Sequence, residues 1–279
     1  MKHCCLLLVF AFGLDVSNVS CGSDTKKGGD VSEESTKMGA QQPVNLSVYL
    51  DLSDRLERQM TPSQADRDTA IIMYLAAKLK ERAVQQKILP SKERIKIFFY
   101  PSPTDTKVAL LSDKLELDLG KLPVQQKKAR LVAFEQEFRE SLKQMYASTI
   151  QTKNWEGSDI WGFFNKNVDN YCIHESARNV LFILTDGYIY HKGNLIQKDG
   201  AFSYIPEVGE MKPLIVNRQG LENLEVLILE VNPRDMKQEP KMEKILTDWL
   251  KGMGVKNSYV GETDLPSNTR LIIDKFLGF

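Results

Sequence analysis

The chain has little of what several functional classes require. Its 279 residues carry 37 Lys+Arg against 37 Asp+Glu, and this balance argues against a nucleic-acid binder, which needs a basic excess to neutralise phosphates. Four cysteines are too few for a disulfide scaffold. With only three histidines no Ser-His-Asp set is discernible, and no glycine-rich phosphate loop follows the first β-rich run. There is one long apolar run, Cys4 to Leu14, and it has eleven residues. As a helix it reaches roughly 16 Å, about half the hydrocarbon core of a bilayer, so it reads as the core of a secretory signal and not as a membrane span. What remains is ordinary globular composition, 42% hydrophobic and 27% charged, in a chain long enough for a sizeable core.

Behind the basic start Met1-Lys2-His3 and the apolar run, the polar stretch ends at Ser20-Cys21-Gly22. This resembles the lipobox of bacterial lipoproteins, with Asn18 where such boxes usually carry Leu. The resemblance implies lipidation of Cys21, which becomes the new N-terminus, and an exported protein of the bacterial cell envelope, on the outer membrane or the periplasmic face. The alternative is an ordinary signal that leaves Cys21 as a free thiol. Residues 22–43 contain no aromatic residue and few aliphatic ones. Such a segment cannot offset its ordering entropy and suits a solvated tether. The organisation expected is a signal over 1–20, a tether over 21–43 and a folded domain over 44–279. Cys4 and Cys5 leave with the signal, so Cys172 is the single cysteine of the folded part.

From Val44 onward, short apolar runs alternate with longer helical patterns. Strands are expected at Val44 to Leu50, Arg94 to Tyr100, Asn179 to Thr185, Leu224 to Val231 and Ser258 to Val260. A half-exposed edge strand is expected within Lys107 to Leu119, where Leu115, Leu117 and Leu119 alternate with charged residues. Thr61-Pro62-Ser63-Gln64 has the form of a capping box with Pro at the first helical position. Ile71, Ile72, Leu75, Ala76 and Leu79 then share one helical face. Further helices are expected after Pro123, with Leu131, Phe134, Phe138, Leu142 and Met145 on one face, and at roughly Trp161 to Tyr171, Lys241 to Met253 and Ser267 to Leu277. This alternation predicts one α/β domain: a single doubly wound, mostly parallel sheet with one antiparallel edge strand and helices on both faces.

In open α/β sheets ligands bind outside the carboxyl ends of the strands. Three polar loops fall at such ends: Asp51-Leu52-Ser53-Asp54-Arg55, Gly157-Ser158-Asp159-Ile160 and Thr185-Asp186-Gly187. Each alone is an ordinary turn or cap. Together they offer only carboxylates and hydroxyls, hard oxygen ligands that suit Mg²⁺, or Mn²⁺ and Ca²⁺, and are wrong for zinc.

These loops and the element order resemble a von Willebrand factor type A (vWA) domain, over about Val44 to Phe279. That family's metal-ion-dependent adhesion site reads Asp-x-Ser-x-Ser, then a Thr in a later loop, then the Asp of a Thr-Asp-Gly turn. Asp51 and Ser53 match the first two positions, Ser158 stands where the Thr is expected, and Asp186 matches the last. The resemblance implies that Ser53 and Ser158 offer hydroxyls to the cation and that Asp51 and Asp186 act mainly through bound water. The metal then takes its last ligand, typically a carboxylate, from a protein partner, and the site binds without turnover. One departure bears on the metal: Arg55 replaces the second Ser. At about 4–6 Å from a divalent cation its charge is repulsive by several kcal/mol even at an effective dielectric near 20. Asp54 and Asp159 are placed to offset it or to replace a lost ligand. Alternatively Arg55 substitutes for the cation and receives an acidic partner group itself.

Trp155 precedes the second loop and is a candidate contact on the binding face, although aromatics at this spacing ordinarily pack a core. Tyr188 to Asn194, with Ile196 and a second Lys-Asp-Gly, looks like a hairpin growing from the third loop and suited to shaping partner specificity. The leading expectation is a lipid-anchored protein-binding module of the envelope. The alternatives are a vWA scaffold that has lost its metal, and a metal-dependent phosphohydrolase of haloacid-dehalogenase type. The latter needs a second Asp two positions after its nucleophile, where this chain has Ser53.

Overall fold

The computed structural model of the chain describes residues 42–102, 104–155, 159–188, 215–234 and 236–279. The expected signal and most of the tether, Ser158, and the expected hairpin beyond Tyr188 lie outside them. Six strands form one sheet: β1 (Val44–Leu50), β2 (Arg94–Phe98), β3 (Glu116–Asp118), β4 (Arg178–Leu184), β5 (Leu224–Val231) and β6 (Asn257–Glu262), in the spatial order β3-β2-β1-β4-β5-β6. β1 runs parallel to both β2 and β4, β4 to β5 and β5 to β6, while β3 is antiparallel to β2 at one edge. All seven residues of β1 and all but the first of β4 are buried, which is why these runs read as continuously apolar: helices cover both faces.

Because side chains alternate along a strand, each central strand feeds two cores. Leu46, Val48 and Leu50 of β1 and Val180, Phe182 and Leu184 of β4 point to one face. There they meet α1 (Gln64–Gln85), α2 (Thr106–Ser112), α3 (Val124–Thr152) and α7 (Pro266–Leu277). Tyr49, Leu181 and Ile183 point to the other face, against α4 (Ile160–Lys166), α5 (Val168–Cys172) and α6 (Glu239–Gly252). Ile71, Ile72, Leu75, Ala76 and Leu79 of α1 and Leu131, Phe134, Phe138, Leu142 and Met145 of α3 are all buried in the first core, as their spacing requires. Among the described residues no helix is long and apolar enough to cross a membrane.

Four local expectations change. Lys107 to Ser112 is helical, not strand, because Asp105 accepts from the backbone N–H of Lys107 (2.8 Å) and Val108 (3.4 Å) and starts α2. The edge strand shrinks to β3, where the cross-strand pair of Glu116 with Lys96 of β2 (3.1 Å) puts charge along the sheet edge. The cap of α1 is Ser63, not Thr61: its hydroxyl oxygen accepts from Asp66 N–H at 3.2 Å, so Pro62 precedes the cap instead of occupying the first turn. The single helix expected near Trp161 to Tyr171 divides at Asn167 into α4 and α5.

The chain leaves β1 for β2 on one side and later returns to lay β4 on the other. The carboxyl ends of β1 and β4 are therefore the switch point of the sheet, where adjacent connections diverge and leave a crevice.

Candidate functional site at the carboxyl ends of β1 and β4

Register fixes the site. Leu50 of β1 pairs with Leu184 of β4, so Asp51 lies beside Thr185, and Asp51 N–H donates to the Leu184 carbonyl at 3.1 Å. Asp51 is buried, and its two carboxylate oxygens are engaged separately. Oδ1 accepts from Ser53 N–H (2.9 Å), which bends the chain, and Oδ2 accepts from the Thr185 hydroxyl (2.6 Å). Thr185 Oγ1 in turn accepts from Gly187 N–H (3.2 Å). Gly187 has φ +97°, and a Cβ there would run into Met242, so the turn requires glycine. Asp186 Oδ1 accepts from Tyr188 N–H at 3.2 Å. Asp51, Ser53 and Asp186 are thus brought to one rim. Of the second loop, Asp159 lies beyond the end of β2, where its N–H donates to the Tyr100 carbonyl (2.9 Å) while its carboxylate caps α4 through Gly162 N–H (2.7 Å).

Arg55 does not face this rim, so it is not available to a partner's acidic group. Ser53 starts a short 3-10 turn, Asp54–Glu57, that carries Arg55 inward to 1% exposure. Its guanidinium donates to Asp68 Oδ2 (2.6 Å) and, through Nε, to the Asp51 carbonyl (2.8 Å), with Asp51 Oδ2 at 3.9 Å. Asp68 also accepts from the Tyr146 hydroxyl (3.0 Å) and from Gln64 (2.9 Å). Gln64 bridges at 3.3 Å to Glu230, which Arg67 grips with two bonds of 2.7 and 3.1 Å. Trp155 is partly buried and packs against the core that α1 and α3 cover, the ordinary role of an aromatic at this spacing. Asp54 pairs at the surface with Arg234 (2.6 Å).

The residue that reaches the rim is one the motif does not contain. Arg58 donates to Asp186 Oδ2 at 2.8 Å and to the Asn232 carbonyl, with its side chain 20% exposed. Burial and the like charge of Asp51 push the Asp186 carboxyl up to about 7, against the pull of Arg58 and Arg55. Burial also raises Asp51, opposed by Arg55 and by the hydrogen bonds from Thr185 and Ser53.

A divalent cation requires several oxygens converging on one point, with no competing positive charge among them. Here a guanidinium is bonded to Asp186 Oδ2 and a second lies 3.9 Å from Asp51 Oδ2, which also accepts from Thr185, while the other two carboxylate oxygens already accept from Ser53 and Tyr188. As arranged, the described residues do not fit the cation that the motif implies.

The sequence offered one neglected signal for the inner network. Gln64 and Asp68 stand four apart and in phase with Ile71, Ile72 and Leu75, which puts a carboxylate inside an apolar stripe. A charge there needs a buried partner. Nothing comparable marks Arg58, whose partners are 128 and 174 residues away.

The single mixed sheet, five strands parallel and one antiparallel with helices on both faces, is an α/β doubly wound fold consistent with the vWA/Rossmann-like architecture. No protein-family model and no curated protein matches the chain. Among solved structures it is similar to an aerotolerance-related membrane protein from Bacteroides fragilis, at 14% identity and a TM-score of 0.44, over 84% of this chain and 98% of that one. It is similar to the conserved hypothetical protein BatB from Bacteroides thetaiotaomicron, at 14% identity and 0.43, over 85% and 100% of the two chains. It is also similar to the pilus adhesin SpaC from Lactobacillus rhamnosus GG, at 10% identity and 0.44, over 84% of this chain and 30% of the adhesin.

Asp68→Ala leaves Arg55 buried without its main counter-charge and should lower stability by about 3–5 kcal/mol in urea unfolding; a loss under about 1 kcal/mol contradicts the role given to the pair. The folded chain holds the Asp186 proton to about pH 7, whereas the unfolded chain releases it near pH 4, so wild-type stability drains away as pH rises between those values. Asp186→Asn removes that slope. Its stability relative to wild type should be greater at pH 8 than at pH 4, and an equal difference at both would contradict the assignment.

Proposed function

We propose that the chain is an extracytoplasmic, vWA-like protein-binding module, held to the bacterial envelope through a lipid on Cys21. It engages a protein partner at the rim built by Asp51, Ser53 and Asp186, where the partly exposed guanidinium of Arg58 would receive an acidic group of that partner. The observation that carries this reading is the convergence of those three residues, far apart in sequence, on the ends of two adjacent parallel strands. Binding without turnover is favoured because Asp51 is 2% exposed and both its oxygens are hydrogen-bonded, a poor setting for a nucleophile. A cation-loaded form, with Mg²⁺ (or Mn²⁺ or Ca²⁺) on Asp51, Ser53, Ser158 and Asp186, is the competing arrangement and needs Arg58 to swing away. Such a cation would supply an electrophilic seat for the partner's carboxylate.

Purified wild-type chain should capture a discrete partner from native membranes, and Ser53→Ala, which loosens the rim without emptying the core, should lose most of it. Equal capture by both proteins removes the rim from the account. Hydrolysis of a generic phosphate ester, abolished in Asp51→Asn, would instead favour the phosphohydrolase. The anchor has its own test: fatty-acid labelling of the expressed chain should vanish in Cys21→Ala, and label retained by that variant would refute lipidation at this cysteine.

A further inference from the structure

We propose that Arg58 is a built-in occupant of the cation position, a tethered guanidinium that replaces the divalent ion and keeps such ions out. The inference rests on the rim being the binding face and concerns how that face is charged. Two observations carry it. The first is geometric. The guanidinium sits 2.8 Å from Oδ2 of Asp186, the last carboxylate of the motif. It is fastened on its other side to the backbone carbonyl of Asn232, so an entering ion must break both contacts. Arg58 follows the inward-turned Arg55 by three residues, and its backbone N–H donates to the Arg55 carbonyl at 3.2 Å, which holds it at the mouth of the site.

The second observation is the charge count. The buried network joins four carboxylates, Asp51, Asp68, Asp186 and Glu230, to three guanidiniums, Arg55, Arg58 and Arg67. Counted with every carboxylate ionised, adding a divalent ion turns one net negative charge into one net positive charge in a largely buried network. Removing Arg58 and adding the ion brings the count to zero. A divalent ion therefore suits this site only when Arg58 is absent, and a monovalent guanidinium suits it as it stands.

The test uses the full chain, stripped with EDTA and titrated with manganese chloride by calorimetry. Wild type should give no saturable heat. Arg58→Gln should acquire one site, at least about tenfold tighter than any binding by wild type, given the repulsion removed. That site should be lost in the double variant Arg58→Gln, Asp186→Ala. Arg58→Lys, which keeps the charge, should stay as silent as wild type. Wild-type binding as tight as that of Arg58→Gln overturns the proposal, as does a folded Arg58→Gln that binds nothing, or an Arg58→Lys that binds as well as the glutamine variant. Melting of wild type in EDTA and in manganese answers without any substitution: equal midpoints support the proposal and a manganese-dependent rise overturns it. Because manganese is the probe, a gained site together with failed partner capture would sink the binding reading and leave this one standing, and the reverse pattern would do the opposite.

Discussion

Arg55 carries a charge that no ordinary pH removes, and the fold places it where water does not reach, at 1% exposure. Such a charge is tolerable only with a counter-charge and filled donors. Asp68 from α1 and the carbonyl of Asp51 supply both. The consequence is mechanical. With Arg55 drawn under the loop, the backbone from Asp51 to Arg58 has one path. Asp51 faces Thr185 across the β1/β4 pair, and Arg58 emerges on the outer side against Asp186. The inner guanidinium shapes the loop and the outer one charges the rim.

The rim that results closes most of its electrostatics internally. Each carboxylate of the adhesion-site pattern is held by donors from its own chain, and the β5 loop joins through Asn232 and through the Arg234–Asp54 pair. The three connections are stitched at their mouths by arginine. For the binding role proposed above, such a surface needs little reorganisation, because its polar groups are satisfied before a partner arrives.

Much of the architecture could be read from the chain. β1 and β5 have the limits their apolar runs set, and the periodic faces of α1 and α3 are the ones buried. Those segments are long or uniformly apolar, so pattern and packing agree. Where they diverge, the stretch is short: Lys107 to Ser112 has only the Val108/Leu111 pair at helical spacing, and the Asp105 cap decides for helix. For the site, Asp51, Ser53 and Asp186 were legible because strand ends locate loops. The destination of Arg55 was not, because a side chain's direction depends on a partner thirteen residues away in another element. Arg58 was missed for the same reason on a larger scale: only folding brings it to Asp186.

The central claim is that guanidinium groups, not a metal, hold the carboxylates of this rim. A crystal structure of the full chain grown in manganese chloride, with anomalous data collected at the manganese edge, tests it most directly. The account predicts the Arg58 side chain bonded to Asp186 and no anomalous peak between Asp51, Ser53 and Asp186. A manganese peak there, with Arg58 turned out to solvent, would contradict it.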